Sequence, residues 1–92
     1  MSSIVDEVWA SPSVLMSYDG RVLEVFGLVD VARFHRGLRP QIVFAGKTRI
    51  TIKPRSGGNL SFFFDPARRD EVEAFAARVH ASYGTDDGAE AS

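Results

Sequence analysis

The chain has 92 residues, 45% of them hydrophobic and 25% charged, with a formal net charge of −1 and no cysteine. That length holds one domain with a modest core, burying roughly 60–65% of its unfolded surface, and the composition excludes a disordered chain. The missing thiols exclude disulfides, thiolate nucleophiles and zinc–cysteine sites, and no apolar run nears the roughly 18 residues of a membrane span.

Charge is segregated along the chain. Residues 31–64 carry seven bases (Arg33, Arg36, Arg39, Lys47, Arg49, Lys53, Arg55) and no carboxylate, whereas all 12 carboxylates lie within residues 6–30 and 65–90. This pattern predicts a polarised surface. The opening MSSIVDEVWASPS has neither a basic nor an apolar signal region, so a cytoplasmic protein is expected. Nine Arg against two Lys, with frequent Ala, Val, Gly and Asp, point to a GC-rich bacterial genome.

In chain order, IVDEVWA at 4–10 offers a strand in which Trp9 would supply a buried ring. VLMSYDGRVLEV follows as a hairpin. Asp19-Gly20 suits a two-residue turn, which pairs Tyr18 with Arg21, Met16 with Leu23 and Val14 with Val25. Val14, Met16, Leu23 and Val25 then share a core face, with Ser17, Val22 and Glu24 opposite. In GLVDVARFHR, Ala32 and Phe34 alternate with Arg33 and His35, which fits a short strand, and a helical turn starting at Asp30 fits as well.

RPQIVFAGKTRITIK reads as a second hairpin around the three-residue loop Ala45-Gly46-Lys47, pairing Phe44 with Thr48 and Ile42 with Ile50. Ile42, Phe44, Ile50 and Ile52 share one face; Arg39, Gln41, Val43, Arg49, Thr51 and Lys53 share the other. NLSFFFD adds a strand after the turn PRSGGN, placing Leu60, Phe62 and Phe64 on the isoleucine face and Ser61 and Phe63 on the basic one. A helix follows, with Asp65 as N-cap and Pro66 at its first position. Its apolar stripe is Val72, Phe75, Ala76, Val79 and Tyr83, and Gly84 is its expected stop. The expected division is a domain over residues 1–84 and a disordered acidic tail over 85–92, whose Asp86, Asp87 and Glu90 could screen the basic face.

Fold class is therefore α+β: a strongly bent antiparallel sheet, or partly open barrel, of six to seven strands capped by one C-terminal helix. VLMSYDGRVLEVFG, the crossing LVDVARFHRGL, the meander QIVFAGKTRITIKPRSGGNLSFFFD and the exit PARRDEVEAFAARVHASY together make the chain resemble the small bacterial members of the pleckstrin-homology-like (PH-like) superfold. The resemblance spans about residues 12–83 and rests on element order, not on a catalytic signature. It implies little about function, since such folds host many unrelated roles; the expectation is a module that binds or scaffolds, with no chemistry of its own. Phosphoinositide-binding members have a base-rich loop between their first two strands; here YDGR supplies Arg21 alone.

No residue pattern suggests catalysis, a metal or a cofactor. His35 and His80 are the only histidines, no serine sits in a nucleophile elbow, and RSGGN leads into a strand and not into the helix a phosphate-cradling loop needs. His80 reads as a solvent-edge residue. A small-molecule substrate is not expected. The candidate interaction surface is Arg39, Arg49, Lys53 and Phe63 on one sheet face, suited to a protein partner or a second copy. The alternative is a polyanion, nucleic acid or an anionic lipid headgroup, held by the same arginines beside an aromatic ring. The plain reading is a solvated face, with Arg49 paired to Asp65 and arginine stems covering Phe63 and Val43.

Overall fold

The computed structural model describes residues 5–27 and 30–91, with side chains described as far as Tyr83. Among the described residues seven strands precede one helix: β1 (Asp6–Ser11), β2 (Val14–Tyr18), β3 (Val22–Phe26), β4 (Val31–His35), β5 (Gln41–Ala45), β6 (Arg49–Lys53), β7 (Leu60–Phe63) and α1 (Arg69–Ala91). They form two antiparallel sheets, β1-β2-β3-β4 and β5-β6-β7, with α1 packed over the core. The class is α+β as expected, but the sheets do not close into a barrel. The break lies between β4 and β5. There a 3₁₀ turn (Arg36–Leu38) is followed by Arg39 at φ 47° and by Pro40, which has no N–H to donate to a ladder.

Alternation assigns the faces, and turn chemistry assigns the pairing. Tyr18 pairs with Leu23 and Met16 with Val25, two residues away from the register that a two-residue Asp19-Gly20 turn demands. The reason is Asp19: its carboxylate accepts from the backbone N–H groups of Arg21 (2.8 Å) and Val22 (2.9 Å), closing a longer turn with Gly20 at φ 93°. Those two bonds also hold the Asp19 carboxyl below its ordinary pKa. The second hairpin differs in the same way. Its loop is 46–48, with Gly46 at φ 66°, so Phe44 pairs with Ile50 and Ile42 with Ile52. Both shifts are even, so the strand residues of the two hairpins keep their expected faces; Arg39, which precedes β5, does not.

The core rows run straight across the sheets. Val8, Met16, Val25 and Ala32 are successive neighbours on one, and Ile42, Ile52 and Leu60, then Phe44, Ile50 and Phe62, on the other. Trp9 alternates with Val8 and Ala10, so it points outward and is 48% exposed, contrary to the buried ring expected of it. Ser17, on the outer face, is nevertheless buried between its cross-strand neighbours Glu7 and Glu24. The crossing at 31–35 is a strand, with Phe34 buried opposite Leu23.

Asp65 caps the helix entry by accepting from the Ala67 N–H at 3.0 Å, and Pro66 opens a 3₁₀ turn (Pro66–Arg68) that leads into α1. The stripe Val72, Phe75, Ala76, Val79 and Tyr83 is buried throughout. The Arg69 guanidinium lies over the rings of Phe44 (5.3 Å) and Phe64 (5.8 Å), which themselves meet edge to face. The α1 backbone continues past Gly84 to Ala91, taking in 85–91 of the expected tail; side chains there, including the screening carboxylates, lie outside the described residues. No helix is long and apolar enough to cross a membrane among the described residues.

Candidate functional site

The expected surface divides between two places. On β6 and β7, Arg49 sits directly opposite Phe63 and Thr51 opposite Ser61, while Lys53 pairs with Gln41 and Val43 with Thr51. These residues share the outer face because each alternates with a core residue (Ile50, Ile52, Phe62). Phe63 is 68% exposed, the most open large apolar side chain among the described residues. A Thr51–Ser61 hydroxyl bond (3.0 Å) ties the two strands beside it. Among the described residues, neither Arg49 nor Lys53 makes an ion pair; Asp65 is engaged with Ala67 instead of pairing with Arg49. The face thus holds three of the four expected residues.

Arg39 is elsewhere. Its left-handed backbone, with its N–H bonded to the Arg36 carbonyl (2.8 Å), turns it out of the β5 alternation. It lines a crevice of about 430 Å³ with Gly20, Arg21, His35, Arg36, Gly37, Arg55 and Tyr83. Three loops build this crevice: the β2–β3 turn, the 3₁₀ turn after β4, and the β6–β7 turn. Backbone hydrogen bonds pin them together, from Arg36 N–H to the Arg21 carbonyl and from Arg55 N–H to the Leu38 carbonyl, both 2.7 Å. A non-glycine residue at positive φ costs on the order of 1–3 kcal/mol, so Arg39 is held there by its surroundings and not by its own preference.

The floor of the crevice comes from α1. Arg36 Nη2 donates to the Ser82 carbonyl at 3.1 Å. Ser82 Oγ donates to the Val79 carbonyl (2.8 Å), so its single proton is used and the Tyr18 hydroxyl must donate to Ser82 Oγ at 2.7 Å. Tyr83 lies edge-on to Tyr18 at 6.4 Å; its hydroxyl is buried and, among the described residues, makes no hydrogen bond. Burial, and secondarily Tyr18, push its pKa well above the ordinary phenol value, so it remains a neutral donor.

Arg21, Arg36 and Arg55 are absent from the expected surface because they lie in separate loops up to 34 positions apart. A signal was present nonetheless: each loop sets an arginine beside glycine (Gly20-Arg21, Arg36-Gly37, Arg55-Ser56-Gly57), where chain reversals gather side chains at one end of a sheet. His80, expected at the solvent edge, also takes part in the fold. It is half-buried, its Nε2 accepts the Ile42 N–H at 3.0 Å, and burial lowers its pKa, so it covers the free edge of β5.

An open seam separates β4 from β7. An apolar slot of about 110 Å³ lies there, lined by Val14, Val25, Ala32, Leu60 and Phe62 among others. No three His, Cys, Asp or Glu side chains group as metal ligands among the described residues. No protein-family model, curated protein or solved structure matches the chain.

Proposed function

We propose that this is a cytoplasmic, non-catalytic association module that pairs with a second copy of itself through β7 and the outer face of β6. The order of four strands, three strands and a closing helix supports a PH-like reading of the fold, within which a scaffolding role is ordinary. The observation that carries the proposal is Phe63, 68% exposed on an edge strand beside Arg49.

The four sheet edges differ in how they are covered. On β5, His80 takes the Ile42 N–H. On β1, the Ala10 carbonyl accepts from Asp65 N–H (2.7 Å), and Arg78 on α1 clasps Asp6. β4 carries the Arg33–Glu24 pair, a charge of the kind that blunts edges. β7, Leu-Ser-Phe-Phe, bears no charge and pairs only with β6 among the described residues. Antiparallel pairing of β7 with its symmetry mate closes a two-fold interface, extends the sheet to six strands and covers both Phe63 rings. Each ring contributes about 1.5–3 kcal/mol on full burial, against the entropy lost on association, so a dissociation constant on the order of 10 µM or weaker is expected. With Arg39 displaced, the face retains two bases and is a poor polyanion platform.

Sedimentation equilibrium of the wild type and of Phe63→Ala, over a concentration series at low and high salt, tests this. A salt-insensitive dimer that Phe63→Ala abolishes, with unchanged circular dichroism, is expected. A wild type that stays monomeric to millimolar concentration, or a variant that dimerises equally, refutes it.

A further inference from the structure

We propose that the outer face of the four-stranded sheet is a second self-association surface, on which two copies stack face to face about a two-fold axis running along the strands. The strand register lines up Trp9, Leu15, Phe26 and Val31 as one cross-strand row on that face. A solvent-facing row of an antiparallel sheet is ordinarily polar or mixed, as in Val43–Thr51–Ser61 and Ala45–Arg49–Phe63 on the other sheet. Here all four members are apolar. Leu15 and Phe26 are half-buried against their neighbours, while Trp9 and Val31 at the two ends are each 48% exposed. The core lies on the opposite side of these strands, so its packing does not require the row.

The adjoining row selects the occupant. Glu7, Ser17, Glu24 and Arg33 cross the same four strands, from a carboxylate on β1 to a guanidinium on β4. Glu7 is exposed and makes no ion pair among the described residues; Arg33 holds Glu24 at 2.7 Å and keeps 65% of its side chain open. A two-fold axis parallel to the strands lays β1 of one copy over β4 of the other and keeps the rows in line. Glu7 then faces Arg33 of the second copy, and Arg33 faces its Glu7. In the apolar row the same operation sets Trp9 over Val31 and Phe26 over Leu15, so each large side chain meets a smaller one, as two packed inner faces require. An axis along the row would instead set Trp9 on Trp9 and Phe26 on Phe26, with Glu7 and Arg33 unopposed. The face is therefore complementary to itself in size and in charge, which favours a second copy over an unrelated partner.

Area sets the strength. Four strands about 4.8 Å apart and about five residues long make a face of roughly 17 by 19 Å, so stacking removes on the order of 1,000 Å² of accessible surface in total. That is the low end for a specific contact. It gains no main-chain hydrogen bonds, and its ion pairs are exposed, so it should be at least about tenfold weaker than the β7 pairing. The stack does not rest on the β7 reading. Where both hold, two separate two-fold contacts on one chain link β7 pairs into linear oligomers.

Sedimentation equilibrium of the full chain up to about 2 mM, at low and high salt, tests the proposal. At low salt a second, weaker step should carry the mass beyond the β7 dimer, and high salt should reverse it, because exposed ion pairs are screened. Trp9→Ser, Glu7→Lys and Arg33→Glu should each weaken that step about tenfold or more with circular dichroism unchanged. An equimolar mixture of Glu7→Lys and Arg33→Glu should restore it, since each variant then meets the opposite charge. Phe63→Ala should leave this step in place while removing the tighter one; if it alters neither, the β7 reading fails and the stack stands. A wild type that never passes the dimer at low salt, a second step indifferent to Trp9→Ser, or a mixture no better than either charge variant alone overturns the stack and leaves the β7 reading untouched.

Discussion

Acidification should loosen the helix from the second sheet through one ring, His80. In the folded protein its Nε2 accepts the Ile42 N–H, so the imidazole is neutral with its proton on Nδ1. Burial sets its folded pKa below the unfolded value of 6.5. Below that value the unfolded chain binds more protons than the folded one, so stability rises with pH there. The contribution is complete above about pH 6.5 and is lost as pH falls from there toward the folded pKa. Protonation also deprives the part-buried Ile42 amide of its acceptor. Such an orphaned donor costs about 1–3 kcal/mol, and the half-exposed ring argues for the low end, near 1 kcal/mol. For a domain of this size that is a drop of roughly 4–8 °C in melting temperature between pH 7 and pH 5. Urea denaturation followed by circular dichroism across that range, for wild type and His80→Gln, isolates the effect. Glutamine retains an acceptor and cannot titrate, so its curve should be flatter by about 1 kcal/mol. Parallel pH dependences for the two proteins would show that the His80–Ile42 bond does not hold β5 to α1.

Phe75 is fully buried at the centre of the helix stripe, so Phe75→Ala should cost about 3–5 kcal/mol in chemical denaturation. A loss under 1 kcal/mol would mean that α1 is not seated on the sheets as described. Asp19→Ala removes the acceptor of two turn amides and should destabilise by about 0.5–1.5 kcal/mol at pH 7. Because the folded pKa of Asp19 is depressed, its contribution is present above the ordinary carboxylate range and is lost as pH falls through the folded value. Wild type and Asp19→Ala should therefore converge at low pH, and a constant gap down to pH 2 would refute the turn assignment.

The sequence alone settled which side of each hairpin strand faces the core, because a period of two in apolar residues leaves Met16, Leu23, Val25, Ile42, Ile50 and Ile52 one way to be buried. A period of 3.6 settled the helix stripe from Val72 to Tyr83, and the Asp65-Pro66 pair marked its cap. Periodicity could not settle pairing. A slip of two residues preserves every face, so the choice passed to local groups: the Asp19 carboxylate in one turn and the positive φ of Gly46 in the other. Only the tertiary structure moved Arg39 from the sheet face to the crevice, gathered Arg21, Arg36 and Arg55 around it, and aimed His80 at an edge amide. Those placements depend on loops far apart in sequence meeting through backbone hydrogen bonds, and side-chain periodicity carries no record of such meetings.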